Sequence, residues 1–219
     1  MTALLAVAHG TRSSAGQAQI RDLVAAVAHR RPGLDIRLCY VDVQQPRVGD
    51  VVAGCDAGAV VVPLLLSAGH HVRVDIAGAV AGTDVAVSAP LGPDGVLVES
   101  LVRHLPPADA VVLAAAGSAD PAWRAGVAEV ASRIPGGAHL AYASGSGPRV
   151  GDVVAGLRAR GARRIAIAAY LLADGLFYRT LHRAGADAVT PPLGLDPAVA
   201  GLVLRRYESA LLTTAPGRM

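Results

Sequence analysis

The sequence predicts an α/β protein built from two similar half-domains, each a parallel sheet flanked by helices, with a cleft between them. Three observations carry this expectation. From residue 3 to residue 104, short runs of strand length alternate with segments of helical spacing, the pattern of successive β-α units in a parallel sheet. The run 60–66, VVVPLLL, is apolar throughout, as a strand covered on both faces must be. The segment PRVGDVVAG at 46–54 recurs without change at 148–156, which marks an internal duplication.

The elements follow in order. Residues 3–8 read as a short apolar strand ended by His9-Gly10-Thr11-Arg12. Helical spacing then runs over 15–31 and stops at Pro32-Gly33. Residues 34–42 alternate as a second strand, and Pro46 opens a helix to 54. After the 60–66 strand, Ser67-Ala68-Gly69 breaks the pattern, and Val72, Ile76 and Val80 recur at helical spacing behind His70 and His71. A weaker strand at 84–88 leads through Pro90-Leu91-Gly92-Pro93 into a helix over 94–104.

The pattern then restarts. Leu38-Cys39-Tyr40 is answered by Leu140-Ala141-Tyr142, and 87–92 by 189–194. With one inserted residue 60–69 corresponds to 165–175, and 111–117 mirrors the first strand. The boundary falls near Leu105-Pro106-Pro107. We therefore expect a first half-domain at 1–105, carrying the site, and a degenerate repeat at 106–219.

Composition narrows the function classes. The 219 residues are 53% hydrophobic and 17% charged, with 25 glycines, which fits a folded α/β chain and opposes disorder. All 20 basic residues are arginine, whose planar fork suits carboxylates and phosphates, so an acidic small molecule is the expected ligand. No long basic run exists and aromatics are 3%, so no nucleic-acid partner is expected. Cys39 and Cys55 lack metal-type spacing and read as buried thiols of a reducing compartment. Residues 1–7 have no basic region of a signal peptide, and the longest apolar run, 57–69, is interrupted by Gly58 and Pro63. A soluble, cytoplasmic protein with no membrane partner is expected.

Ligands of open α/β sheets bind outside the carboxyl ends of the strands, and His9 and His71 fall there. Taken alone, His70-His71 reads as a helix cap beside a packed neighbour. The duplication serves as an internal control: His9 corresponds to Ala116, Asp42 to Ser144 and His71 to Phe177, whereas Gly10, Pro46 and Gly69 keep their counterparts Gly117, Pro148 and Gly175. Residues that shape the backbone persist, and the chemically active ones are lost. Two imidazoles at neighbouring strand ends can hold a divalent first-row metal and accept protons near pH 7. Asp42 can ligate, orient a histidine or take up a proton. A closed structural zinc site wants four ligands, so an open metal that is handed on fits better. Phe177 has two readings, an aromatic lying against a flat ligand or a packed core side chain.

The segments AVAHGTR at 6–12, YVDVQQP at 40–46 and VVPLLLSAGHHVRVDI at 61–76 resemble the class II chelatases, specifically the sirohydrochlorin chelatases of the CbiX/SirB type in their two-module, single-chain form. The resemblance implies ATP-independent insertion of Fe²⁺ or Co²⁺ into sirohydrochlorin, a lyase reaction of siroheme or cobalamin biosynthesis. It implies no permanently bound cofactor, the metal entering as co-substrate, and the tetrapyrrole as the partner. His9 matches the first family histidine, and His71 the second, because the family pattern is Gly-x-His. Both would hold the metal, with His9 the readier acceptor of pyrrole protons. Asp42 stands where the family usually has glutamate. With Leu66, Ser67, Ala68, Gly69 and His70 it is expected to line the macrocycle. Arg12, Arg47 and Arg73 are expected to meet its carboxylates, and Asp75, four residues after His71, to steady that imidazole.

The alternative reading is a non-enzymatic metal or tetrapyrrole carrier. A histidine phosphatase is disfavoured, because Ala8 precedes His9 where that class needs arginine. A duplicated chain already supplies two faces, so a monomer is compatible with the sequence. The Gly-x-His register generates one prediction. His71→Ala should abolish metal insertion, and His70→Ala should at most raise KM modestly. Equal losses in a turnover assay would show that the histidine pair is aligned incorrectly.

Overall fold

In a computed structural model, described over residues 2–55, 58–67, 69 and 71–214 and without the side chains of 71–73 and 214, every pairing between strands is parallel. The first elements are β1 (Ala3–Ala8), α1 (Ser14–Arg30), β2 (Ile36–Tyr40), α2 (Val48–Ala53) and β3 (Ala59–Pro63). A π-helical turn, His71–Ile76, runs into α3 (Ala77–Val80), followed by β4 (Ala86–Val87) and α4 (Gly95–His104). The pattern repeats as β5 (Ala110–Ala115), α5 (Pro121–Ser132), β6 (His139–Tyr142), α6 (Val150–Ala159), β7 (Ile165–Tyr170), α7 (Leu176–Leu181) and β8 (Ala188–Val189). A 3₁₀ turn, Leu193–Leu195, precedes α8 (Pro197–Thr214). The strand orders β2-β1-β3-β4 and β6-β5-β7-β8 are equivalent, so the duplication read from the sequence is a duplication of topology.

The central strands are apolar because both of their faces are covered. β1 and β3 are buried along their whole lengths. Ala3, Leu5 and Val7 pack with Cys39, Val61, Val48, Val52 and Ile76 on one face. The pleat sends the alternate residues, Leu4 and Ala6, to the other face, and α1 and α8 pack against β2 and β3. Local chemistry sets the helix ends. Ser13 caps α1 by accepting the Gly16 amide at 3.2 Å, and Asp94 caps α4 by accepting the Val96 amide at 3.0 Å. α2 begins later than Pro46 because the residues before it still pair with β2. The Pro46 carbonyl accepts the Tyr40 amide at 3.0 Å, and Arg47 bridges to Tyr40.

The chain divides into two compact units, Met1–Gly92 with Pro197–Met219, and Pro93–Asp196. These differ from half-domains at 1–105 and 106–219 by one helix each. α4, from the first repeat, belongs to the second unit, where Arg103 pairs with the buried carboxylate of Asp196. α8, from the second repeat, belongs to the first unit. There the Tyr207 hydroxyl donates to the Thr2 carbonyl at 2.5 Å, Arg206 donates to the Pro90 carbonyl at 2.8 Å, and Arg31 pairs with Glu208 at 2.8 Å. An apolar stripe such as Leu97, Val98 and Leu101 on α4 records that a face is buried, not which sheet buries it. A boundary placed by repeat symmetry therefore does not coincide with the spatial one.

Phe177 is 37% exposed whereas Leu181, one turn on, is 1% exposed. The packed-core reading of Phe177 does not hold. Phe177→Ala should cost about 1 kcal/mol or less, and Leu181→Ala roughly 2–5 kcal/mol, measured by urea unfolding.

Candidate active site

The carboxyl end of the first sheet is spliced together by backbone hydrogen bonds that continue past the strands. The Val41 amide donates to the Ala8 carbonyl at 2.9 Å, and the Asp42 amide to the His9 carbonyl at 3.0 Å. Gly10 follows at φ +97°, and a Cβ there would sit 2.0 Å from the Asp42 carbonyl oxygen. No other residue allows both that conformation and that approach. Asp42 then turns sharply. Its carbonyl accepts the Gln44 amide at 2.7 Å around Val43 at φ 67°, a three-residue turn with a branched side chain in left-handed backbone, a strained arrangement found at functional sites. The loop after β1 is tied on both sides. Gln44 Oε1 accepts the Thr11 amide at 2.9 Å, and Gln17 Nε2 donates to the Thr11 carbonyl at 2.9 Å.

His9 is exposed at the end of β1. Asp42 is exposed at the end of β2, and its Oδ1 accepts the Val43 amide at 2.7 Å and Arg47 Nη1 at 3.0 Å. The same guanidinium nitrogen donates to the Val41 carbonyl at 2.8 Å. The Val43 amide and then Arg47 hold the Asp42 carboxyl below the usual carboxylate range, and the charge of His9 adds to this. Asp42 is therefore an anion at neutral pH, not a proton acceptor. His71 opens the π-helical turn after β3, and single π-turns inside helices are frequent at functional sites. Because the sheet runs β2-β1-β3, Asp42, His9 and the backbone of His71 follow three neighbouring strand ends.

Other expected residues are placed unevenly. Leu66 and Gly69 are half-buried and Ser67 is 8% exposed. Ala68 and His70 lie outside the described residues, as do the side chains of His71 and Arg73. Asp75 is half-buried on the π-helical turn, and Arg12 is exposed. Arg47 directs its Nη1 to one of the protein's own carboxylates, that of Asp42. The residues that sequence reasoning missed are the frame: Gln17, Val43 and Gln44. The repeat gave no signal for them, since Arg124, Gly145 and Ser146 stand in their places; Arg124 nonetheless ties its own loop, donating to the Ser118 carbonyl at 2.7 Å and the Ser146 carbonyl at 2.6 Å.

The second unit keeps the splice and changes the chemistry. The Ser144 amide donates to the Ala116 carbonyl at 2.9 Å, and Gly117, at φ +106°, would place a Cβ 2.1 Å from the Ser144 carbonyl. Where Asp42 offers a carboxylate, the Ser144 hydroxyl turns back onto the Ala116 carbonyl at 2.7 Å. Among the described residues, no group of three or more His, Cys, Asp or Glu side chains is placed to hold a metal ion, a statement that does not extend to the His70 and His71 side chains. Burial pushes the Cys39 thiol up to about 12, so it stays protonated and takes no part. No helix among the described residues is long and apolar enough to cross a membrane.

Comparison with known families matches the CbiX pattern to residues 3–107 and again to 110–210. The chain belongs to the CbiX family. Its two CbiX modules meet where the sequence repeat restarts, not where the compact units divide. Among solved structures it is similar to SirB from Bacillus subtilis with Fe³⁺, at TM-score 0.78 and 21% identity over 96% of each chain. It is also similar to the sirohydrochlorin chelatase SirB from Bacillus subtilis subspecies spizizenii in complex with cobalt, at TM-score 0.73 and 21% identity, covering 96% of this chain and 95% of that one. A third is CbiX described as the terminal enzyme of siroheme biosynthesis in denitrifying bacteria, at TM-score 0.68 and 21% identity, covering 95% and 99%. These likenesses carry the fold of this CbiX chain. No curated protein matches it in sequence.

The two glycines generate a paired prediction. Gly10→Ala and Gly117→Ala should each destabilise by about 1–3 kcal/mol in urea unfolding. Only Gly10→Ala should also weaken Co²⁺ binding, because only that splice carries Asp42 and His9. Equal effects on cobalt affinity would dissociate the splice from the metal.

Proposed function

We propose that this CbiX-family chain is a sirohydrochlorin chelatase, inserting Fe²⁺ or Co²⁺ into the tetrapyrrole without ATP, in siroheme or cobalamin biosynthesis and in the cytoplasm. The observation that carries the reading is the match of both modules to the CbiX family, in a chain whose first module retains His9, Asp42 and His71. His9 and His71 present the metal, the reaction's substrate, to the face of the macrocycle. Asp42, held ionised, adds a negative charge that favours a divalent cation over a proton at this edge. Insertion replaces two pyrrole N–H bonds by bonds to the metal and so releases two protons. An imidazole has one basic nitrogen near neutral pH, so His9, once displaced from the metal by a ring nitrogen, suits acceptance of one proton at a time, each passed on to water before the next. Leu66, Ser67, Ala68, Gly69 and His70 form the segment proposed to line the macrocycle.

His9→Ala should abolish insertion, followed by the absorbance change of sirohydrochlorin with Co²⁺, while far-UV circular dichroism stays native. Ala116, Ser144 and Phe177 replace the polar groups in the second module, so cobalt titration of the intact chain should find a single site. Two sites of comparable affinity, one surviving His9→Ala, would refute a single centre. Product formed in excess over enzyme separates catalysis from carriage.

A further inference from the structure

Arg47 and Arg149 occupy the same position in two copies of the same nine-residue segment, PRVGDVVAG. Both act as the residue before a helix, ahead of α2 and α6, and both bridge to a tyrosine at the end of the neighbouring strand, Tyr40 and Tyr142. Their guanidinium groups nonetheless do different things. Among the described residues Arg149 Nη1 reaches the Gly145 carbonyl, at 3.4 Å. Arg47 Nη1 donates to the Val41 carbonyl at 2.8 Å and to Asp42 Oδ1 at 3.0 Å. The same oxygen accepts the Val43 amide at 2.7 Å. Two donors on one oxygen fix the plane of the carboxylate and leave Oδ2 as the oxygen engaged by neither.

We propose that Arg47 is a positioning residue of the metal site, which acts through Asp42 by clamping Oδ1 so that Oδ2 faces the cation. It rests on the reading of Asp42 as a metal-facing carboxylate. The clamp is a matter of direction more than of stability. Both side chains are substantially exposed, at 40% for Arg47 and 59% for Asp42, and exposed ion pairs contribute little to folding. Anchoring to the carbonyl of Val41, itself tied to Ala8 just past the strand, gives the guanidinium a base that does not move with the Asp42 carboxylate. Partners one step removed from a metal act in this way, and their loss typically lowers metal affinity by about 10–100-fold.

The test is a double-mutant cycle on the intact chain, read by titration with Co²⁺ alone and by turnover of sirohydrochlorin. Arg47→Ala and Asp42→Ala should each weaken cobalt binding by roughly tenfold or more, and the double variant should be no weaker than Asp42→Ala. Arg47→Lys, which keeps the charge without the planar fork, should recover part of the loss. Arg149→Ala should match the unmutated chain, and all melting temperatures should stay within a few degrees of it. In turnover, Arg47→Ala should lower kcat and leave KM for the tetrapyrrole unchanged. Additive penalties, undiminished cobalt affinity in either single variant, or a raised KM at constant kcat would overturn the assignment, the last pointing to direct contact with a substrate carboxylate. A chain that binds cobalt with the expected coupling but does not turn over sirohydrochlorin would refute the chelatase reading and leave the Arg47 assignment standing.

Discussion

The approach of Gly10 to the Asp42 carbonyl, with the Asp42 amide donating back to the His9 carbonyl at 3.0 Å, welds the loop after β1 to the loop after β2. Everything chemical at this end of the first unit depends on it. His9 cannot move along its strand without breaking that bond, and Asp42 cannot withdraw because its own carbonyl is committed to the Val43 turn. The same weld survives in the second unit at Gly117 and Ser144, where no imidazole or carboxylate remains. A structural device and a chemical one have thus been separated by duplication, and only the structural one was needed twice.

The exchange of terminal helices follows from the apolar area each must cover. α4 and α8 bury Leu97, Leu101, Leu202 and Val203 almost completely, and burial of side chains of this size contributes about 1.5–3 kcal/mol each. α8 packs on β3 and β4 of the first sheet and α4 on β7 of the second, so each sheet is packed by a helix drawn from the other repeat. The family pattern breaks between 107 and 110 because inheritance runs by module, whereas the compact units break at Gly92–Pro93 and Asp196–Pro197 because packing runs by surface.

The arginines serve the fold as well as any acidic ligand. An all-arginine basic complement suits an acidic ligand, and many of the guanidinium groups also hold the chain together. Arg158 reaches the Asp187 carboxylate at 2.6 Å, Arg164 reaches Asp109 at 3.2 Å, Arg179 reaches Asp174 at 2.9 Å, and Arg124 and Arg206 bind backbone carbonyls. A planar fork with five donors is as well suited to loop carbonyls as to a ligand's carboxylates. Arg47 stands between these uses, since it binds a carbonyl and a carboxylate of its own chain at the edge of the proposed metal site.

Sequence alone determined the parallel sheets, the duplication, and the positions of His9 and Asp42 just past β1 and β2. Each is written in local periodicity or in a repeated string, and neither depends on which distant surfaces meet. Strand ends were read to within a few residues: within the 60–66 run the strand proper ends at Pro63, and within 34–42 it covers Ile36–Tyr40. The tertiary structure decided what periodicity cannot encode. It assigned α4 and α8 to units, exposed Phe177 where a core side chain was one reading, and brought Arg47 onto Asp42. It also placed Gln17 and Gln44 around Thr11. The reason is common to all four: a stripe or a charge states what a side chain needs, and only the folded chain fixes which partner comes within reach.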